Sequence, residues 1–131
     1  MKYKPDQYNS LSPYFVVDGA EKYMELLARI FEGEMLRQYH GPDGRIVHAE
    51  MRIDDSVLMF GNSNEAYPPN ELILHLYVPD VDQIYQRALE YGCEPIQEPR
   101  VQFGDPDKRG SFRDPFGHFW SVATQIEDKH G

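Results

Sequence analysis

One order of segments occurs twice in this chain, and that order constrains the fold more than any single motif. In the first copy, Leu11 to Val17 is a short apolar run that suits a strand. Asp18 and Glu21 then have the spacing of a helix-opening capping box, and Ala20, Tyr23, Met24, Leu27, Ile30 and Phe31 share one helical face before Gly33 ends it. Glu34 to Tyr39, Arg45 to Ile53 and Ser56 to Phe60 read as three strands, separated by Gly41-Pro42-Asp43-Gly44 and Asp54-Asp55. In the second copy Ile73 to Val78 is the strand and Asp80 with Gln83 the capping box. Val81, Ile84, Tyr85 and Ala88 form the apolar stripe, and Gly92 is the stop. Glu94 to Phe103, Gly110 to Arg113 and Phe119 to Gln125 follow, the last two joined by Asp114-Pro115-Phe116-Gly117.

Superposing the copies brings Asp18 onto Asp80, Tyr23 onto Tyr85 and Leu27 onto Leu89, but the shared order says more than these identities. The fold class expected is α+β: two βαβββ units whose curved mixed sheets enclose a cavity, with helices on the outer faces. Residues 1–10 form a polar leader. Residues 11–128 form one domain, with unit one at 11–61, a Pro-containing linker at 62–71 and unit two at 72–128. A length of 131 residues fits a single domain of this kind.

Thirteen Lys and Arg against 22 Asp and Glu give a net charge of −9, which argues against nucleic acid or an anionic membrane as partner. Cys93 is the single cysteine, so no intramolecular disulfide and no Cys-rich zinc site can form. No run resembles a signal peptide or a membrane span, and a soluble cytoplasmic protein is expected.

The paired units, the stretch GPDGRIVHAEMRIDDSVLMF (Gly41 to Phe60), LHLYVPDVD (Leu74 to Asp82) and RDPFGHFWSVATQ (Arg113 to Gln125) resemble the vicinal oxygen chelate superfamily. That superfamily includes glyoxalase I, extradiol dioxygenases, fosfomycin-modifying enzymes and bleomycin resistance proteins. The similarity is closest to its PhnB-like branch and covers about Leu11 to Asp128. It implies a divalent-metal position on the first and last strands of each unit, and here those positions count to Leu11, Met59, Ile73 and Ser121. None supplies a His or carboxylate ligand, so no metal and no other cofactor is expected.

Strand alternation offers other residues. If Val47, Ala49, Met51 and Ile53 face the helix, then His48, Glu50 and Arg52 face the cavity. Likewise Leu74, Leu76 and Val78 leave His75 and Tyr77 inside. His48, Glu50 and His75 could make a displaced two-His, one-carboxylate metal site or an acid/base pair; the plainer reading is that Glu50 fixes His48 or a nearby arginine in a polar wall. Phe103, Phe112, Phe119 and Ser121 are further cavity-wall candidates. Tyr14, Phe60 and Trp120 have core parity, Arg113 and Asp114 belong to their turn, and His40, His118 and His130 are expected in solvent. The function expected is binding without catalysis of an apolar or aromatic small molecule, antibiotic-like and in one version cationic, by a homodimer. The alternative is a metal-dependent lyase, isomerase or dioxygenase using His48, Glu50 and His75.

Overall fold

The structure is a computed structural model and describes residues 1–127. Its elements are β1 (Tyr14–Val17), α1 (Ala20–Phe31), β2 (Glu34–His40), β3 (Ile46–Ile53), β4 (Ser56–Asn62), β5 (Ile73–Tyr77), α2 (Val81–Glu90), β6 (Glu94–Val101), β7 (Asp107–Arg113) and β8 (Phe119–Gln125). They fall into two compact units that divide between Asn70 and Glu71. Each unit is a βαβββ arrangement with a four-stranded mixed sheet, in the orders β1-β4-β3-β2 and β5-β8-β7-β6. In each, the first strand runs parallel to the last and the other pairings are antiparallel.

In the first unit α1 buries Ala20, Tyr23, Met24, Leu27, Ile30 and Phe31, the face its periodicity predicts. The phenyl ring of Phe15 lies 5.2 Å from that of Phe60 and 5.4 Å from that of Tyr23, and all three residues are fully buried. Such ring pairs add about 0.5–1.5 kcal/mol beyond their buried area. The capping box does not form. Gly19 is the N-cap, in left-handed conformation at φ 106°, and Asn62 Oδ1 on β4 accepts from the amides of Gly19 (3.0 Å) and Ala20 (2.8 Å). Glu21 turns away to accept from the Ile46 amide at 2.9 Å, while Asp18 sits 3.5 Å from Arg45. The helix is thus capped by the sheet it packs on, a long-range contact that local spacing cannot reveal. Its C-terminus also differs in detail: Glu32 takes the left-handed position, and a Cβ on Gly33 would collide with the buried Met51 side chain, which would have to shift.

In the second unit Asp80 accepts from the Gln83 amide at 3.2 Å, as its spacing predicts, and Gly92 takes φ 96° just beyond α2. Val81, Ile84, Tyr85 and Ala88 pack towards the sheet, where Phe112 and Trp120 stand abreast and buried. The linker is tied down. Asn70 Oδ1 accepts from the Val16 amide (3.0 Å) and its Nδ2 donates to the Tyr14 carbonyl (2.9 Å), closing the free edge of β1.

Three expectations about facing need correction. Val47 is 62% exposed, because Tyr39 pairs with His48 and His40 with Ile46, leaving Val47 as the extra residue of a β-bulge; Ile46 takes the buried place. Phe112 is core rather than wall, since it shares its face with Trp120. Tyr14, expected in the core, is 41% exposed, and Phe15 and Val17 are the buried members of β1.

Candidate functional site

On the sheet face of the first unit turned away from α1, the register sets Tyr14, Met59 and Glu50 side by side across β1, β4 and β3. His48 lies next along β3, in register with Tyr39. Gly61 makes room for this row, since a Cβ there would be 3.1 Å from the Tyr14 hydroxyl.

Four side chains form a continuous hydrogen-bonded chain. Tyr8 donates its hydroxyl to Glu50 Oε1 at 2.5 Å, His48 Nε2 is 2.9 Å from Glu50 Oε2, and the Tyr14 hydroxyl is 3.0 Å from His48 Nδ1. A carboxylate only accepts, so the Nε2 facing it carries the proton. In the neutral ring Nδ1 is then the acceptor, and Tyr14 must donate to it. Every proton in the chain therefore points towards Glu50, and the Tyr14 oxygen keeps lone pairs for something else. Glu50 is only 4% exposed. Burial by itself would push its carboxyl up, but the hydrogen bonds from Tyr8 and His48, with the nearby Arg37 charge, outweigh burial and hold its pKa below the ordinary value. Desolvation and the Glu50 charge push the Tyr14 phenol up, which keeps it a donor. The rings of Tyr14 and Tyr39 stand 5.6 and 6.1 Å from that of His48. Arg52 lies 3.4 Å from Glu34 Oε2 and donates to the Gln7 carbonyl at 3.3 Å.

The corresponding face of the second unit has an arginine at its centre. His75, Ser121 and Ser111 form one row, and Tyr77, Ala123 and Arg109 the next. Arg109 donates through Nε to Asp105 (2.8 Å) and through one terminal nitrogen to Asp107 (2.8 Å); the other lies 2.8 Å from His75 Nε2. A guanidinium cannot accept, so His75 Nε2 is the acceptor and the proton sits on Nδ1. Partial desolvation and the Arg109 charge hold the His75 pKa below its ordinary value. Tyr77 donates to Asp107 at 2.7 Å, a bond that raises its phenol pKa. Phe119 lies under Arg113, 5.8 Å from ring centre to guanidinium carbon, in a hollow of about 300 Å³ that also involves Glu71, Leu72 and Ile73.

The structure thus brings His48 to Glu50 and gathers His75, Tyr77 and Ser121 on neighbouring rows. Phe103 lies beyond the end of β6 and is fully exposed, so it lines no strand face. His118, expected in solvent, is buried and accepts from the Leu72 amide at 3.0 Å through Nδ1; its pKa is held down by burial. His130 falls outside the described residues. Asp114 holds its turn as expected, accepting from the amides of Phe116 and His118 and from Trp120 Nε1 at 2.8 Å. Cys93 is buried and its thiol is pushed up to about 12 by burial and by the charge of Asp114, far from a nucleophile's range.

Besides Tyr14, which was expected in the core, Tyr8 and Arg109 are site residues that the sequence reading missed. Starting β7 at Asp107 rather than Gly110 puts Arg109 in phase with Ser111 and Arg113, so that signal was present. Tyr8 comes from the leader, outside any strand, and no periodicity points to it.

Among the described residues no three His, Cys, Asp or Glu side chains come together as a metal-binding group. The donor chemistry explains why the displaced set fits a metal poorly. Both Glu50 oxygens and His75 Nε2 already accept strong hydrogen bonds. The register also shifts the first-strand positions: Tyr14 rather than Leu11 stands abreast of Met59, and His75 rather than Ile73 abreast of Ser121. That exchange adds one nitrogen donor to the implied set and no carboxylate.

The sequence matches the model of the Glyoxalase/Bleomycin resistance protein/Dioxygenase superfamily over residues 7–122. The chain belongs to that superfamily. It is 32% identical over 130 residues to the uncharacterized protein Mb0911c of Mycobacterium bovis, covering 91% of this chain and 85% of the relative. Among solved structures, TioX from Micromonospora sp. ML1 superposes with TM-score 0.70 at 19% identity, over 88% of this chain and 95% of its own. A PhnB protein from Bacillus cereus gives TM-score 0.68 at 14% identity, over 88% and 99%. At these identities the structural likeness speaks for fold alone, and the superfamily scaffold carries unrelated chemistries. No helix among the described residues is long and apolar enough to cross a membrane.

Proposed function

We propose that this superfamily member binds an aromatic or apolar small molecule, antibiotic-like in size, without catalysing a reaction on it. The observation that carries this reading is the direction of the Tyr8, Glu50, His48 and Tyr14 chain. It ends on a half-exposed phenol oxygen with free lone pairs, beside the rings of His48 and Tyr39. Such an end orients a ligand that brings a hydrogen-bond donor and a flat apolar body. On the first unit's face the ligand contacts of this reading are His48, Tyr14 and Arg52, with Glu50 acting through His48; on the second unit's own face the candidates are His75, Tyr77, Phe119 and Ser121. Phe103 is left out because of its position. The protein is taken to work in the cytoplasm without a metal and as a homodimer, the commonest assembly of small soluble chains.

The metal-dependent alternative is disfavoured because a metal would have to displace Tyr8, His48 and Arg109 from the oxygens and nitrogen it needs. Calorimetric titration of a panel headed by benzyl alcohol and benzylamine into wild type, Tyr14→Phe and His48→Ala tests the reading. A binder of wild type should lose about tenfold in affinity in Tyr14→Phe, the worth of one well-made hydrogen bond. Equal affinity in all three proteins would overturn the choice of face. Stoichiometric zinc, nickel, manganese or iron that disappears in His48→Ala and His75→Ala would replace binding with metal catalysis.

A further inference from the structure

Tyr8 holds a position that its own segment does little to explain. Its hydroxyl sits on a nearly buried carboxylate oxygen and its ring lies 5.3 Å from the Arg37 guanidinium, yet it comes from a stretch with no helix or strand. Lys2 pairs with Asp6 at 2.8 Å inside the segment, and Lys4 donates across Tyr8 to the Ser10 hydroxyl at 3.1 Å, an exposed bond that an outward swing of the segment has to break. Gln7, which carries the chain round to Tyr8, adopts φ 65°, a left-handed conformation unfavourable to a non-glycine residue, and its carbonyl meets Arg52 at 3.3 Å. Asn9 is different. Its side chain accepts from the Val57 amide at 2.9 Å and reaches back to the Leu11 carbonyl and the Ser12 hydroxyl, so it is an anchor about which the preceding residues can swing. A cleft of about 420 Å³, lined by Gln7, Tyr8, Asn9, Arg52, Asp54 and Asp55, is already open beside the phenol.

We propose that Tyr8 is a built-in stand-in for a phenolic ligand: a hydroxylated aromatic molecule takes its place on Glu50 and under Arg37, and the segment up to Tyr8 swings out about Asn9. This deepens the binding reading above and rests on it. The position selects a flat ring by its cationic neighbour and a hydroxyl by its carboxylate acceptor. An ammonium group suits it less well, because the charges of Arg37 and Arg52 both act on the place the Tyr8 hydroxyl occupies; a carboxylate ligand is repelled by Glu50. The ligand class is therefore a neutral phenol, which narrows the aromatic class and removes its cationic version at this position.

The test uses p-cresol, which copies the tyrosine side chain, and toluene, which lacks the hydroxyl. Each is titrated calorimetrically into wild type, Tyr8→Gly and Tyr8→Phe, and the contact of the Tyr8 ring with the Arg37 side chain is followed in wild type by proton Overhauser effects. Tyr8→Gly should bind p-cresol at least about tenfold tighter than wild type, since no side chain has to leave, and should prefer p-cresol to toluene by a similar factor. Saturating p-cresol should abolish the Tyr8–Arg37 contact of wild type. Should Tyr8→Gly fail to fold, Tyr8→Phe decides: freed of its bond to Glu50, its ring should yield to p-cresol more readily than that of wild type. Equal binding of p-cresol to all three proteins, with the Tyr8–Arg37 contact intact, overturns the proposal but leaves the binding face intact. Binding to none overturns the proposal; the Tyr14→Phe and His48→Ala titrations judge the broader reading separately.

Discussion

Replacing Glu50 by glutamine tests the central physical claim, that one nearly buried carboxylate organises the first unit's open face. The substitution keeps shape and removes charge. In wild type Glu50 accepts from the Tyr8 hydroxyl at 2.5 Å and from His48 Nε2 at 2.9 Å. A hydrogen bond to a charged group contributes about 1.5–3 kcal/mol, a neutral one about 0.5–1.5 kcal/mol. The glutamine has one acceptor where the carboxylate has two, so its NH₂ must face either Tyr8 or His48 and force that partner to reorient. One bond weakened and one reversed should cost the unit about 2 kcal/mol at neutral pH. The size of this loss must depend on pH in one direction. The folded Glu50 pKa lies below its ordinary value of 4.5, so its stabilisation is fully present above that value and is lost as pH falls through the lower folded value. Wild type and Glu50→Gln should therefore converge in acid.

The assay has to report on the correct unit. Trp120, the only tryptophan, lies in the second unit, so opening is better followed by native-state hydrogen exchange at the amides of β3 and β4. Nitrogen-15 spectra of wild type at about pH 8, where a free imidazole is neutral, should also show the His48 ring proton on Nε2. A Glu50→Gln protein as stable as wild type at neutral pH, a difference that persists unchanged in acid, or a wild-type ring protonated on Nδ1 alone would each refute the reasoning.

Asp114→Asn should destabilise the second unit by about 2–4 kcal/mol, because an asparagine cannot accept from the Phe116 and His118 amides and from the Trp120 indole at once; urea unfolding followed by Trp120 fluorescence measures this, and a loss under about 1 kcal/mol would contradict it. His75 should titrate below its ordinary value of 6.5, so its neutral form favours the folded state above that value and the contribution fades as pH falls through the folded pKa. Arg109→Ala should move the His75 midpoint upward in proton spectra, because it removes a neighbouring cation and leaves the Asp107 charge unopposed; an unchanged or lower midpoint would contradict the role given to Arg109.

Periodicity made the fold legible because each unit buries one helix stripe and one sheet face, and both periods are written in the chain. Failures came where an interaction crosses between elements. Asp18 and Glu21 satisfy the capping-box spacing, yet Asn62 is nearer to the α1 amides and Glu21 is drawn to Ile46. Val47 satisfies strict alternation, yet a bulge opposite His40 inserts it as an extra residue. His48 and Glu50 were legible because alternation within β3 itself holds from His48 to Ile53, past the bulge at Val47, and His75 and Tyr77 because β5 alternates along its whole length. Tyr14 was not: it precedes Phe15 in an apolar run too short to show its phase, and the Met59 pairing that fixes its facing lies 45 residues away.

The same register positions in the two units have opposite electrostatic organisation. In the first, Glu50 is an anion that gathers donors from Tyr8 and, through His48, from Tyr14, so what the face has left to offer is oxygen lone pairs. In the second, Ser111 stands at the position of Glu50 if His75 and Ser121 are matched to Tyr14 and Met59, and the organising group is the cation Arg109 one row away. Arg109 gathers acceptors from Asp105, Asp107 and His75, so the free atom of His75 is a donor, Nδ1–H. Duplication of one βαβββ unit thus yields one face that receives protons in hydrogen bonds and one that gives them. A phenol, whose oxygen both donates and accepts, is the simplest aromatic group that either face can hold.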